Sequence, residues 1–205
     1  MAENDVRLYG SSERITSIVS STGTASLLMG AAAFKAVTVP PDDHAIYALV
    51  GRIASNWAHV ERIFDQIIWD IAEIDPAKGA CITAQLMSVY ARCNTIIGQL
   101  TLFERENGVS TQALINKITD IRNRSNGPSE QRNRAVHDPW YVYTNLNQTA
   151  QFRAMPAKDL RYGIYPVDLQ DLEQTLTTIR EFSKRVAALR EEISALLASH
   201  RKSAE

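Results

Sequence analysis

The chain is short of most of the features that announce a function. Of its 205 residues, two are cysteines, Cys81 and Cys93, and nine are glycines. Read as one helix, the twelve positions between the cysteines span ~18 Å, too far for an intrahelical disulfide. The two also lack metal-ligand spacing, so they read as ordinary reduced thiols of a cytoplasmic protein. There is no glycine-rich phosphate loop, which argues against an NTPase. No carboxylate–histidine cluster has ligand spacing, so neither a metal nor a cofactor is expected. The net charge is −1. A whole-protein positive field is absent, and any nucleic-acid contact must come from a local patch.

One stretch lacks charge altogether. Ile15 to Phe34 has no Asp, Glu, Lys or Arg, but seven Ser or Thr and two Gly dilute it. It falls well below a membrane-spanning helix. The start, Ala2-Glu3-Asn4-Asp5, is not the basic start of a signal peptide. Residues 1–41 therefore read as a mobile or loosely packed arm, with no membrane partner and a cytoplasmic location.

What is present is a helical pattern. Apolar residues make up 45% of the chain, enough for a core. After Pro40-Pro41-Asp42-Asp43, apolar residues recur at spacings of three and four from Ile46 to Ile71. Asp75-Pro76 ends that helix. The next is expected over 77–106, with Asn107-Gly108 as its stop. Ser110 is the expected cap of a third helix. Asn126-Gly127-Pro128 reads as a break, after which Ser129 caps a short helix. His44 reads as solvated, and Trp57 as core.

Beyond Asp138-Pro139 the texture changes. Trp140–Thr144 and Thr149–Met155 read as two strands of a hairpin, with Asn145-Leu146-Asn147-Gln148 between them. Asp168 caps a last long helix whose seam runs from Leu169 to Leu196. The expectation is an all-α, up-and-down bundle of four to five helices with a small β-hairpin insert before the last helix. The domain spans residues 42–198, and residues 199–205 form a frayed tail.

The densest chemistry lies in Glu130-Gln131-Arg132-Asn133-Arg134-Ala135-Val136-His137-Asp138. A guanidinium can clamp phosphate oxygens in a planar fork. An imidazole can accept or donate a proton near neutral pH. RNA brings its own nucleophile, so His137 and Arg132 could suffice for transesterification without a metal, with Asn133 orienting the imidazole or a substrate oxygen. Asn133 and His137, four apart, share a helix face. Arg132, five from His137, is rotated by ~140° from it. Arg122, Arg124, Arg132 and Arg134 form a modest basic patch, opposed by Asp120, Glu130 and Asp138. Tyr141 and its aromatic neighbours could stack on bases. The same residues also fit plainer roles: His137 as a helix C-cap, Arg132 as a surface ion-pair partner, Trp140 as core.

The run Arg132-Asn133-Arg134-Ala135-Val136-His137 resembles the Arg-x4-6-His motif of the HEPN (higher eukaryotes and prokaryotes nucleotide-binding) domains. Trp57-Ala58-His59-Val60-Glu61-Arg62 resembles their Trp-x-x-x-Glu element on an early long helix. The resemblance covers about residues 42 to 198. It implies a helical bundle and a metal-independent endoribonuclease of the kind found in toxin and defence systems. It also implies a homodimer with the motif at the interface. Carried over, Arg132 and His137 are the catalytic candidates and Asn133 the orienting one, with Glu61 a further candidate. Arg134, Arg124 and Tyr141 are the expected substrate contacts. The expected partners are RNA or a nucleotide, a second copy of the chain, and an antitoxin or other operon partner. The family also contains members that only bind nucleotides or serve as scaffolds.

Overall fold

The computed structural model describes residues 37–144, 148–155 and 161–204. Nearly all of the expected N-terminal arm, including its uncharged stretch, lies outside the described residues. Helix α1 (Ala45–Ala72) is the one that hydrophobic spacing marks most clearly. Ile46, Leu49, Ile53, Trp57, Val60, Phe64, Ile67 and Ile68 are all buried along it. Each such side chain contributes about 2 kcal/mol on leaving water. His44 is more than a solvated neighbour of the aspartates. Its Nδ1 accepts the Ile46 N–H at 3.2 Å and caps the helix. Glu73, left-handed at φ 52°, ends it.

The helix expected over 77–106 is two helices. The first, α2 (Pro76–Thr83), starts with Asp75 accepting from the Ala77 and Lys78 N–H groups. The second, α3 (Val89–Asn107), starts with Ser88 accepting from the Ala91 N–H. Residues 84–88 interrupt them, so Cys81 and Cys93 do not share a helix. Cys81 is exposed and Cys93 buried. Burial pushes the Cys93 thiol up to about 12, against the opposing pull of Arg122, which keeps it protonated and inert. Gly108, at φ 67°, closes α3 as Asn107-Gly108 predicts.

Helix α4 (Gln112–Arg124) begins after Thr111, not Ser110. Thr111 spends its hydroxyl on Leu100 O and Glu104 Oε2 rather than on its own helix. Helix α5 (Asn126–His137) starts three residues before Ser129. Only Ser125 interrupts the run from α4. Pro128 is the third residue of α5, where a backbone N–H would have no intrahelical partner in any case. Helix α6 (Leu169–Ala204) follows directly after Asp168 and buries Leu172, Leu176, Ile179, Phe182, Val186, Leu189, Ile193 and Leu197. It continues through the expected tail, and Arg201 binds Glu73 at 2.8 Å there.

The helical unit comprises Asp42–His137 and Leu169 onward. In it α1 packs on α6, α3, α5 and α2, and α6 also packs on α4 and α5. Trp57 stacks on Phe182, ring centroids 6.0 Å apart and 12° from parallel. This is the expected all-α bundle with a small sheet ahead of the last helix.

Asp138–Asp168, with Val37–Pro41, forms a second compact unit. It contains more than a hairpin. β1 (Val37–Thr38), β2 (Trp140–Tyr143), β3 (Thr149–Met155) and β4 (Arg161–Pro166) form an antiparallel sheet in that order. Tyr143, Ala150 and Ile164 are its buried core, with Val37, Tyr141 and Phe152 packed against them.

Gly79 of α2 lies flat on the indole of Trp69. A Cβ there would sit 2.5 Å from the ring. Gly79→Ala should therefore cost about 1–3 kcal/mol through overpacking. Urea unfolding should show the loss, whereas Gly98→Ala, with open space around the added atom, should show none.

Glu104 supplies a pH-dependent contribution. The Thr111 N–H and then its hydroxyl hold the carboxyl below the usual glutamate range. The stabilisation is present above the unfolded value of about 4.3 and is lost as pH falls through the lower folded value. The difference in urea midpoint between the native chain and Glu104→Gln should be constant above that pH and shrink below it.

Candidate functional site

The helix α5 that carries the motif is short and sparsely apolar, so its packing is set by a few positions. Arg134 apart, which is half-buried on the outer side against Glu130, the half-buried Pro128, Ser129, Arg132 and Val136 flank the buried Ala135. These positions recur at three and four and form the face turned to the bundle. Glu130, Asn133 and His137 are exposed. Arg132 and His137 thus belong to different faces of one regular helix.

The contacts follow from that division. Arg132 is half-buried, and its Nε is shut off from solvent with no hydrogen-bond partner. Its Nη1 donates to Asn133 Oδ1 at 2.7 Å. The amide expected to orient the imidazole is therefore turned to the guanidinium. His137 is the last residue of α5 and exposed. It makes no side-chain hydrogen bond or ion pair among the described residues. The chain runs on into Asp138-Pro139 without any distortion that carries His137 round to Arg132.

The other expected contacts are distributed. Arg134 is held by Glu130 at 2.6 Å, and Arg124 by Asp120 at 2.8 Å, both one helical turn back. Tyr141 belongs to the sheet unit and packs against its core. Glu61 lies on α1, where its Oε1 accepts from Trp57 Nε1 at 3.1 Å and stands 4.0 Å from Arg92 Nη1. Arg92, 8% exposed, donates from Nε to Asp65 at 2.8 Å. Glu61 is therefore part of a charge network joining α1 to α3.

Sequence reasoning missed that network. Glu61 and Asp65 are four apart on α1, which puts both on one face. Nothing local to Arg92 identifies it as their partner, 27 residues on from Asp65. Arg122 was counted in the basic patch but its partners were not foreseen: it donates from Nη1 to Asn94 Oδ1 at 2.7 Å and lies 5.1 Å from the Tyr90 ring centroid. Among the described residues no group of three His, Cys, Asp or Glu side chains stands together as a metal site. No helix there is long and apolar enough to cross a membrane.

No known family model, curated protein or solved structure matches this chain.

Arg92 balances two carboxylates from a nearly closed position. Arg92→Met would leave Asp65 without its cation in a mostly closed site, at a cost of about 3 kcal/mol. Glu61→Gln keeps an acceptor for Trp57 and should cost less than about 1 kcal/mol. Equal losses for the two variants in urea unfolding would contradict this division of roles.

Proposed function

We propose that the chain is a HEPN-like, metal-independent endoribonuclease whose working site needs a second copy of the chain. The observation that carries this reading is the solvent-facing pair of Asn133 and His137 at the end of α5, with His137 unengaged by any side chain among the described residues. In the proposed reaction His137 takes the proton from a ribose 2′-hydroxyl. The oxygen attacks the adjacent phosphorus, the bond to the 5′ oxygen breaks, and that oxygen takes up a proton. The products are a 2′,3′-cyclic phosphate and a 5′-hydroxyl. An Arg132 guanidinium stabilises the charge on the crowded phosphate.

Arg132 and His137 lie on different faces of one α5, so a site using both draws them from two chains or bridges them with the substrate. Homodimerisation fits the first route. A toxin or defence role, with an antitoxin or operon partner, belongs to the same proposal and rests on the motif resemblance.

The two-face arrangement also favours a second reading. In it the chain binds a nucleotide or a protein without chemistry and uses Arg132 and His137 separately. Thermal shift with nucleotides would then show stabilisation with no turnover.

Incubation of the purified chain with structured and unstructured RNA in EDTA separates the readings. Cleavage is expected to persist in EDTA and to fall by about 10²–10⁴ in His137→Ala. Arg132→Gln should be similarly impaired. Mixing the two inactive variants should restore part of the activity if one chain supplies the arginine and the other the histidine. Failure of the native chain to cut any RNA, or full activity in His137→Ala, overturns the ribonuclease reading.

A further inference from the structure

We propose that the start of α3 and the end of α4 form a binding subsite for single-stranded RNA, built from Tyr90, Asn94 and Arg122. Tyr90 is the second residue of α3 and 54% exposed. Asn94 is one turn further along the same face. Arg122, in the last turn of α4, reaches both. Its guanidinium carbon lies 5.1 Å from the Tyr90 ring centroid, and its Nη1 donates to Asn94 Oδ1 at 2.7 Å.

The state of Arg122 is what makes this a site rather than a packing contact. The neighbouring Arg124 and Arg134 both end on carboxylates. Arg122 has no carboxylate within ion-pair distance among the described residues, and its Nε is buried without a partner. The reason lies in the sequence. One turn either side of Arg122 on α4 and α5 stand Ile118 and Asn126, neither of them an acid. Asn94 Oδ1 satisfies one donor without neutralising the charge. The first turn of α3 carries no acidic residue. The N-terminal end of α3 adds partial positive charge beside the guanidinium, against the partial negative charge of the α4 C-terminal end that carries it.

The ligand class follows from pairing that cation with exposed aromatic and apolar surface. Tyr90 is accompanied at the junction of α2 and α3 by Met87, 88% exposed, and Ile82, 55% exposed. A cation that can take a phosphate, next to a ring that can take a base, is the arrangement single-stranded nucleic acid uses. A folded acidic protein would need the cation but not the ring. This inference extends the ribonuclease reading by naming where a strand is held, yet binding is measurable apart from cleavage.

The test is fluorescence anisotropy of the full chain with a labelled, 2′-O-methylated oligouridine, which has no free 2′-hydroxyl to react. Tyr90→Ala is expected to weaken binding by about 5- to 100-fold. Arg122→Gln should weaken it and also flatten the plot of log Kd against log salt by about 0.7, the signature of one lost phosphate contact on a single strand. Lys184→Gln, which removes an exposed cation of α6 already paired with Glu181, is the control and should leave both unchanged. Circular dichroism confirms that each variant is folded, and Tyr90→Ala, at an exposed position, stands if Arg122→Gln is not.

Equal behaviour of Arg122→Gln and Lys184→Gln, or native affinity in Tyr90→Ala, overturns the subsite. So does the absence of any binding by the native chain. Cleavable RNA run in parallel separates this inference from the previous one. A chain that cleaves RNA while Arg122→Gln binds normally loses the subsite and keeps the ribonuclease reading. A chain that binds through Arg122 and cleaves nothing does the reverse.

Discussion

The packing of α1 on α6 is the constraint on which the helical unit depends. These are its two longest helices, and they lie at opposite ends of the described chain. Ile46 through Ile68 on one and Leu172 through Leu197 on the other supply most of the buried apolar surface. The Trp57–Phe182 stack fixes their register. Closing a loop of that length carries a large entropic cost, though one that grows only slowly with length. Once α1 and α6 meet, the short helices α2 to α5 have a surface to dock on. None of them has an apolar face wide enough to stand alone. Helix α5, with Ala135 as its single buried residue, is the extreme case.

That dependence explains the buried charges. A bundle built on one apolar spine must still join α3 to α1, and beside the buried Val89, Cys93, Ile96 and Leu100 of α3 it does so through Arg92 against Asp65 and Glu61. Trp57 serves both systems, since its ring packs on Phe182 while its Nε1 donates to Glu61. The network therefore sits at the edge of the core, where each ion keeps some water. Two carboxylates against one guanidinium are tolerable there, and would not be in the centre.

How much of this was legible in the sequence depended on how local the deciding force was. The α1 and α6 seams follow from spacing alone. So does the placement of Asn133 and His137 on one face and Arg132 on another, because a regular helix leaves no choice. The break between α2 and α3 was not legible. Ala84, Gln85, Leu86 and Met87 are good helix formers, yet the chain turns there, with the Gln85 and Leu86 N–H groups donating to the Ile82 and Thr83 carbonyls. Ser88 was the one available signal. Strand β4 was hidden by Gly163 and Pro166, which read as loop residues but are tolerated at a sheet edge. Strand β1 is two residues long and exists only through its pairing with β2. Conversely, Asn126-Gly127-Pro128 looks like a strong break, yet a helix start tolerates it, so the structure spends only Ser125 on the turn.

The four arginines between 122 and 134 show why counting charge is weaker than reading its spacing. Arg124 has Asp120 four residues back, and Arg134 has Glu130 four residues back. Both are paired. Arg122 has Ile118 at that position and Arg132 has Pro128. Neither has a carboxylate partner among the described residues, and each instead holds an asparagine amide, Asn94 and Asn133. A paired arginine must give up its carboxylate before it can bind a phosphate, whereas one held by an amide keeps its full charge. The patch that composition presents as four equivalent cations is therefore two. They stand at the end of one helix and in the middle of the next, with different neighbours. Arg122 lies beside an exposed aromatic ring, and Arg132 lies on the packed face of the motif helix. If this chain handles RNA, holding the strand and stabilising its phosphate during chemistry are tasks for two different arginines.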